Sequence, residues 1–182
     1  MAEISSWPSA ERGTILSSPD GVTWTARASG TDRWLLAVDW APGLFVAVGD
    51  GGTILVSPDG ISWSPRSSGT TQRLNSVKRS PSTWLAVGEA GTARSSPNGS
   101  DWTLRATGDS GWLRGIAWGS GPFVVTGHDG TILTANQGGS NFQRRSSGTS
   151  RGSAWYADDV YRPTKRRSPT TLPPSSKRLT PM

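Results

Sequence analysis

Short apolar runs, separated by glycine-rich and polar segments, recur along the chain. In residues 34–67 the runs read WLLAVDW, LFVAVG, GTILVS and SWSPRS. No stretch keeps the periodicity of a helix over about ten residues. Runs this short, bounded by glycine, proline and aspartate, are typical of strands joined by tight turns. The pattern predicts an all-β fold.

One unit of 39 residues recurs along the chain. The sequence GTIL begins at Gly13, Gly52 and Gly130, and GTAR begins at Gly91, so consecutive copies are 39 residues apart. A large aromatic residue keeps the same phase in each copy, at Trp24, Trp63, Trp102 and, one residue late after an additional glycine, Phe142. Such regularity indicates a repeat architecture.

The repeat unit predicts a β-propeller blade of four antiparallel strands. About 40 residues holding four strands is the usual size of one blade, and each blade buries a face on the next. Three blades are complete, at 34–67, 73–106 and 112–146, while the first copy, 13–28, opens with only its last two strands. We therefore expect three and a half to four blades.

Composition narrows the possible chemistry. The chain has no cysteine, which excludes disulfides, thiolate metal sites and a cysteine nucleophile. His128 is the only histidine, too few for a zinc site that needs two or three. We expect no cofactor and no metal. No stretch approaches the roughly 18 apolar residues of a membrane-spanning helix, and no secretory signal is visible at the N-terminus.

The net positive charge of the chain comes from residues outside the repeats. The net charge is +6, and residues 162–182 contain six basic residues and no acidic one, so the rest of the chain is balanced. The repeats therefore lack the basic surface that nucleic acid requires. We expect a lead-in at 1–12, the repeats at 13–150, and a basic, Pro/Ser-rich disordered tail at 151–182.

A turn motif joins the third and fourth strands of the repeat. It reads SPDGVTW from Ser18, SPDGISW from Ser57 and SPNGSDW from Ser96, and the fourth copy is degenerate. Aspartate or asparagine accepts hydrogen bonds from the amides of its own turn, glycine takes the positive φ, and tryptophan anchors the hairpin. The structural residues expected here are Asp20, Trp24, Asp59, Trp63, Asn98 and Trp102, with the three tryptophans in equivalent buried sites.

This motif resembles the Asp-box of bacterial sialidase-like (BNR) propellers, in a short form that lacks one glycine. The sequence segments GTILxSPDGxxW and FVAVGDGGTI are also similar to those of the photosystem II assembly-factor type of propeller. The resemblance covers about three quarters of the chain. It implies that the Asp-box turns are structural and lie away from the ligand face.

The resemblance also implies a place for a ligand, at the turns after the second strand and at the connections between blades. The equivalent turn position holds Glu11, Asp50, Glu89 and His128. These side chains would form a polar ring suited to a cation or sugar hydroxyls, or they are simply residues that suit a glycine turn.

Two further series repeat with the blades. Arg27, Arg66, Arg105 and Arg144, with Arg145 nearby, stand late on the outermost strand, where charged residues guard a sheet edge. Trp34 and Trp112 share a position with Arg73, as Trp40 and Trp118 do with Arg79. The first set would stack on a sugar or base, or pack at the blade edge.

The sequence favours a non-enzymatic binding or scaffold module whose ligand is an unknown protein or a carbohydrate. No catalytic residues are expected. The resemblance implies that a sialidase would need three arginines from dissimilar positions and a tyrosine nucleophile. Here the arginines share one repeat position, and both tyrosines, Tyr156 and Tyr161, fall outside the repeats. The alternatives are a sialidase-type glycoside hydrolase and a non-functional fragment of a longer propeller. An open arc would expose apolar faces, so a second chain could complete the ring.

Overall fold

The computed structural model describes residues 2–3 and 12–146. Glu11 and the tail expected at 151–182 lie outside the described residues. Within the described part, 15 strands form four antiparallel sheets, and the helical structure consists of three-residue 3-10 turns. The all-β prediction is confirmed.

The strands follow one another in simple meanders. The first sheet contains β1 (Ala2–Glu3), β2 (Ile15–Ser17) and β3 (Thr25–Arg27). The second contains β4 (Leu35–Ala41), β5 (Leu44–Gly49), β6 (Ile54–Ser57) and β7 (Ser64–Arg66). The third contains β8 (Leu74–Arg79), β9 (Trp84–Gly88), β10 (Ala93–Ser96) and β11 (Thr103–Leu104). The fourth contains β12 (Leu113–Trp118), β13 (Phe123–Gly127), β14 (Ile132–Ala135) and β15 (Gln143–Arg145).

The three four-stranded sheets match the three complete units predicted from the sequence. The first sheet differs, because the sequence predicted only its last two strands. Ala2 and Glu3 pair with Ser17 and Leu16 and so add a strand from the lead-in. The apolar pattern could not reveal this strand, because it is only two residues long.

The turn that joins the second and third strands requires glycine at a recurrent position. In the second sheet this turn is a 3-10 turn at Asp50–Gly52, with Gly52 at φ +72°. A Cβ on Gly52 would lie 2.0 Å from the carbonyl oxygen of Thr70, in the connection to the next sheet. Gly91 has the same relation to Asp109 at 1.8 Å. The glycine of the GTIL motif thus lets the turn pack directly on that connection.

The core lies between the sheets. The first strands of successive complete sheets are neighbours, β4 beside β8 and β8 beside β12. Side chains of the second sheet pack against the third in a cluster that contains Val46, Val48, Ile54, Leu74, Val77 and Trp84. An equivalent cluster joins the third and fourth sheets and contains Leu85, Val87, Leu113, Phe123, Val125 and Leu133. Each interface buries one apolar sheet face on the next.

The motif tryptophans are less buried than we expected. Trp24, Trp63 and Trp102 are all half-buried, and the latter two pack at the margin of a core cluster. The reason is their position after the outer hairpin, where each sheet meets solvent. The Nε1–H group of Trp102 donates to the carbonyl of Gly99 at 2.9 Å, so the indole folds over its own turn. Among the tryptophans in residues 12–146, the deeply buried one is Trp84, which is 1% exposed.

Trp84→Ala should be the most costly tryptophan substitution in the described part of the chain. It would leave a large cavity between two sheets and should lower the free energy of unfolding by about 3–5 kcal/mol. Trp40, which is 55% exposed, is the matched control, and Trp40→Ala should cost less than about 1 kcal/mol. Denaturant unfolding measures both, and equal losses would contradict this assignment of the core.

Candidate functional site

Each four-stranded sheet presents two ends that differ in chemistry. The upper face, as we name it, carries the 3-10 turns that begin at Asp50, Glu89 and His128. The lower face carries the turn between the first two strands and the motif turns at Asp59 and Asn98. Because successive antiparallel strands reverse direction, the turn after the second strand lies at the opposite end from the other two. The candidate ligand residues and the motif residues are therefore on opposite faces.

On the upper face, an arginine joins two of the expected ring residues. The Nε atom of Arg73 lies 2.6 Å from Oδ1 of Asp50 in the preceding sheet and 3.6 Å from Oε1 of Glu89 in its own sheet. A second group of Arg73, Nη2, donates to Oδ2 of Asp50 at 3.3 Å. The two carboxylates therefore bind a cation of the chain itself, in an ion pair that spans two sheets.

His128 belongs to a different cluster. Its ring stacks on Trp112, with ring centroids 5.4 Å apart and planes inclined by 22°. The Nε–H group of Arg114 donates to Nε2 of His128 at 3.0 Å, and the guanidinium carbon lies 4.5 Å from the Trp112 ring centroid. In this contact Nε2 of His128 is the acceptor. Asp50, Glu89 and His128 thus share a face but divide into two clusters.

The position just before the first strand of each four-stranded sheet holds a tryptophan in two sheets and an arginine in the sheet between them. Trp34, Arg73 and Trp112 each accept a hydrogen bond at the carbonyl oxygen from the first residue of the 3-10 turn of the same sheet, at 2.8, 3.0 and 2.9 Å. Trp34 is 45% exposed and Trp112 is 40% exposed. The upper face therefore presents two indoles on either side of an ion-paired arginine.

Two solved structures resemble the fold of this chain. One, YCF48 bound to D1 peptide, is 19% identical with a TM-score of 0.56, and the match covers 74% of this chain and 47% of that chain. The other, YCF48 from Cyanidioschyzon merolae, is 13% identical with a TM-score of 0.56, and the match covers 78% of this chain and 55% of that chain. The sheets are β-propeller blades. At these identities the likeness shows the fold alone.

The chain spans about half the length of the two solved structures that it matches. No protein-family model and no curated protein sequence matches it. Among residues 2–3 and 12–146, no three acidic or histidine side chains come together in a group that could hold a metal ion. A helix long and apolar enough to cross a membrane does not occur in the same part of the chain.

The motif aspartates on the lower face organise their own turns. Oδ1 of Asp20 accepts hydrogen bonds from the amides of Val22 and Thr23, both at 2.8 Å, and from Oγ of Ser18 at 2.8 Å. These donors lower the pKa of Asp20 to about 2, with the Thr23 amide contributing most. Asp59 has the same set of donors, which lowers its pKa in the same way.

Asn98 takes the place of aspartate in the third blade for a local electrostatic reason. Its Oδ1 accepts from the amides of Ser100 and Asp101 at 2.9 and 3.0 Å, as an aspartate would. Its Nδ2 group donates to Oδ2 of Asp101 at 2.8 Å. An aspartate at position 98 would set two carboxylates against each other. The first two turns have Thr23 and Ser62 where the third has Asp101. Asp20 and Asp59 therefore face no second carboxylate in their own turns.

The outer arginines do not converge on a common site. Arg27 and Arg105 each donate Nε to a serine hydroxyl of the neighbouring strand, both at 2.7 Å, and Arg145 donates to Thr134 at 2.9 Å. Arg145, rather than the expected Arg144, is the true equivalent, because the additional glycine shifts the register so that Ile132 pairs with Arg145. These side chains brace separate blades.

Arg66 differs from the other outer arginines because it lacks the hydroxyl partner that they use. Val56 stands where the other blades have a serine or threonine, so the equivalent position of the neighbouring strand has no hydroxyl. The Nε group of Arg66 instead points to Oγ of Ser100 in the next blade, at 3.3 Å. Arg144 pairs with Asp109 in the connection that precedes its blade.

Asn98→Asp should destabilise the third blade by about 1 kcal/mol, because it replaces a hydrogen bond to Asp101 by repulsion. The double variant Asn98→Asp with Asp101→Ser recreates the pair found in the second blade and should recover most of the loss. Chemical unfolding of the two variants and of Asp101→Ser alone gives the coupling energy. A single Asn98→Asp variant as stable as the parent would contradict the account.

The motif carboxylates should make stability depend on pH in the acid range. A carboxyl group whose pKa is lowered by folding stabilises the protein above its unfolded pKa and loses this contribution as pH falls through the folded value. For Asp20 that window runs from about pH 3.8 to about pH 2. Asp20→Asn should therefore reduce the fall of stability in this window, and carboxyl NMR titration should show Asp20 ionised well below pH 3.8. An ordinary titration would contradict the hydrogen-bond assignment.

Proposed function

We propose that this chain is a non-enzymatic binding module that holds a polypeptide segment on its upper face. The observation that carries the proposal is the placement of Trp34, Arg73 and Trp112 at equivalent positions of three successive blades, with both indoles at least 40% exposed. Exposed tryptophans of this kind are common anchors at protein interfaces, because a large rigid side chain loses little entropy on binding.

The charges of the upper face indicate which segment would fit. Arg73 is already neutralised by Asp50 and Glu89. Arg114 has a hydrogen bond to His128 and contacts Trp112, and the ion pairs found among the described residues do not include it. Its remaining guanidinium N–H groups suit a carboxylate. We therefore propose a ligand with apolar side chains and an acidic group that meets Arg114.

The likeness to a peptide-bound structure supports this proposal. YCF48 has been solved with a D1 peptide, so blades of this kind can hold a peptide in that protein. Identity to it is 19%, and this chain matches 47% of its length. The proposal therefore extends to polypeptide as the class of ligand and not to the sequence of the ligand.

Peptide binding should depend on Trp112 and not on Trp40. The chain is screened against a displayed random-peptide library together with the D1 peptide, and the affinity of the best binder is measured by calorimetry. Trp112→Ala should weaken binding by at least about tenfold. Trp40→Ala, an exposed tryptophan on the lower face, is the matched control and should change affinity by less than about twofold.

A second variant separates charge from packing. Arg114→Gln should weaken binding and reduce its dependence on salt, because it removes the unpaired cation. Failure to enrich any peptide, or equal losses in the Trp112→Ala and Trp40→Ala variants, would contradict the proposal.

A further inference from the structure

A separate cleft opens on the lower face. Its volume is about 440 Å³, and its lining includes Trp40, Arg79 and Trp118, which occupy equivalent positions in three successive blades, together with Asp39 and Lys78. Clefts of about 300–1,000 Å³ are typical of small-ligand sites. The cleft shares no residue with the peptide site proposed above.

The two indoles of the cleft are held in place before any ligand arrives. Trp40 lies against Phe45 with ring centroids 6.1 Å apart, and Trp118 lies against Phe123 at 5.1 Å. Trp40 is nevertheless 55% exposed. A fixed, exposed aromatic ring can accept a ligand at little cost in side-chain entropy. The cleft therefore provides a preorganised stacking surface at Trp40, with the half-buried Trp118 nearby.

Arg79 forms part of the wall between the indoles instead of a site for an anion. Its Nη1 group donates to the carbonyl of Pro97 at 3.1 Å, and Nη2 donates to that of Pro81 at 3.3 Å. The guanidinium carbon lies 5.4 Å from the Trp84 ring centroid. Two of the five guanidinium N–H donors are therefore already bonded to backbone, which leaves fewer donor pairs for a bidentate contact with a phosphate or carboxylate.

The remaining charged groups of the cleft form a neutral pair that can make further hydrogen bonds. Lys78 Nζ lies 3.1 Å from Oδ1 of Asp39, and Oδ2 of Asp39 accepts the amide of Arg79 at 2.7 Å. An ammonium group has three donors and each carboxylate oxygen has two lone pairs. A ligand can therefore find both a donor and acceptors here without bringing charge of its own.

We infer that this cleft binds a neutral carbohydrate. A pyranose ring has an apolar C–H face that stacks on indole and a rim of hydroxyl groups that both donate and accept. One ring would stack on Trp40, with its hydroxyls on Asp39 and Lys78, and the chain of sugars would continue toward Trp118. The combination of exposed indole and paired charges favours this ligand over an anion or an extended apolar surface.

The test uses the whole chain on an array of neutral, amino and acidic oligosaccharides, followed by calorimetry with the glycan that binds best. Trp40→Ala should weaken binding by at least about tenfold. Lys78→Met keeps the length of the side chain but removes its donors, and should weaken binding severalfold. Trp34→Ala, which alters an exposed tryptophan on the upper face, should leave the affinity unchanged within about twofold.

Several results would overturn the inference. They are the absence of glycan binding by the parent chain, a preference for acidic over neutral glycans, or equal losses in the Trp40→Ala and Trp34→Ala variants. Binding of a proline-rich peptide in place of any glycan, lost in Trp40→Ala, would assign the cleft to polypeptide and also overturn it. Because Trp112 and Arg114 take no part, the result is independent of the peptide proposal.

Discussion

The burial of one sheet face on the next is the interaction on which the rest of this structure depends. One repeat unit of this kind cannot bury its own hydrophobic face, and stacking on its neighbours buries that face. Here the strands of the third blade contribute to two clusters, one with each neighbour. Trp84 and Phe123 occupy equivalent places in these clusters, and both are at most 1% exposed. Stability therefore resides between blades more than within them.

This arrangement leaves the two ends of the blades available for chemistry. Side chains of β9 and β13 are committed to packing along the whole strand, whereas Trp34 and Trp40, at the two ends of the first strand of a sheet, are exposed. The upper face carries the exposed Trp34 and Trp112 with ion-paired Arg73, and the lower face carries the exposed Trp40 beside Trp118, which is half-buried against the core. Both faces thus combine exposed indole with charges that are largely paired. The difference lies in the cations that have no ion pair among the described residues. Arg79 on the lower face donates both terminal nitrogens to backbone carbonyls, whereas Arg114 on the upper face contacts His128 and Trp112.

Much of the fold follows from the sequence because the determining signals repeat. Glycine in GTIL is required by a positive φ and a close carbonyl, and the same pair of constraints occurs at Gly13, Gly52 and Gly91. Side-chain pairing across blades was not predictable in this way. Arg94 replaces the buried leucines Leu55 and Leu133, and its Nη2 group reaches the carbonyl of Gly69 at 2.6 Å. In the sequence, Arg73 differed from its equivalents only by replacing a tryptophan. Its ion pairs could not be predicted, because its partners Asp50 and Glu89 come from two blades.

Amide hydrogen exchange followed by NMR tests the dependence on inter-blade packing most directly. Strand β9, Trp84–Gly88, is buried along its whole length between two blades, whereas β11 is exposed although its hydrogen bonds pair it with β10. If packing between blades holds the structure, amides of β9 should exchange far more slowly than those of β7 and β11, by global unfolding. Uniform protection across the strands of each sheet would contradict the account, because it would place the stability in the hydrogen-bonded ladder of each blade.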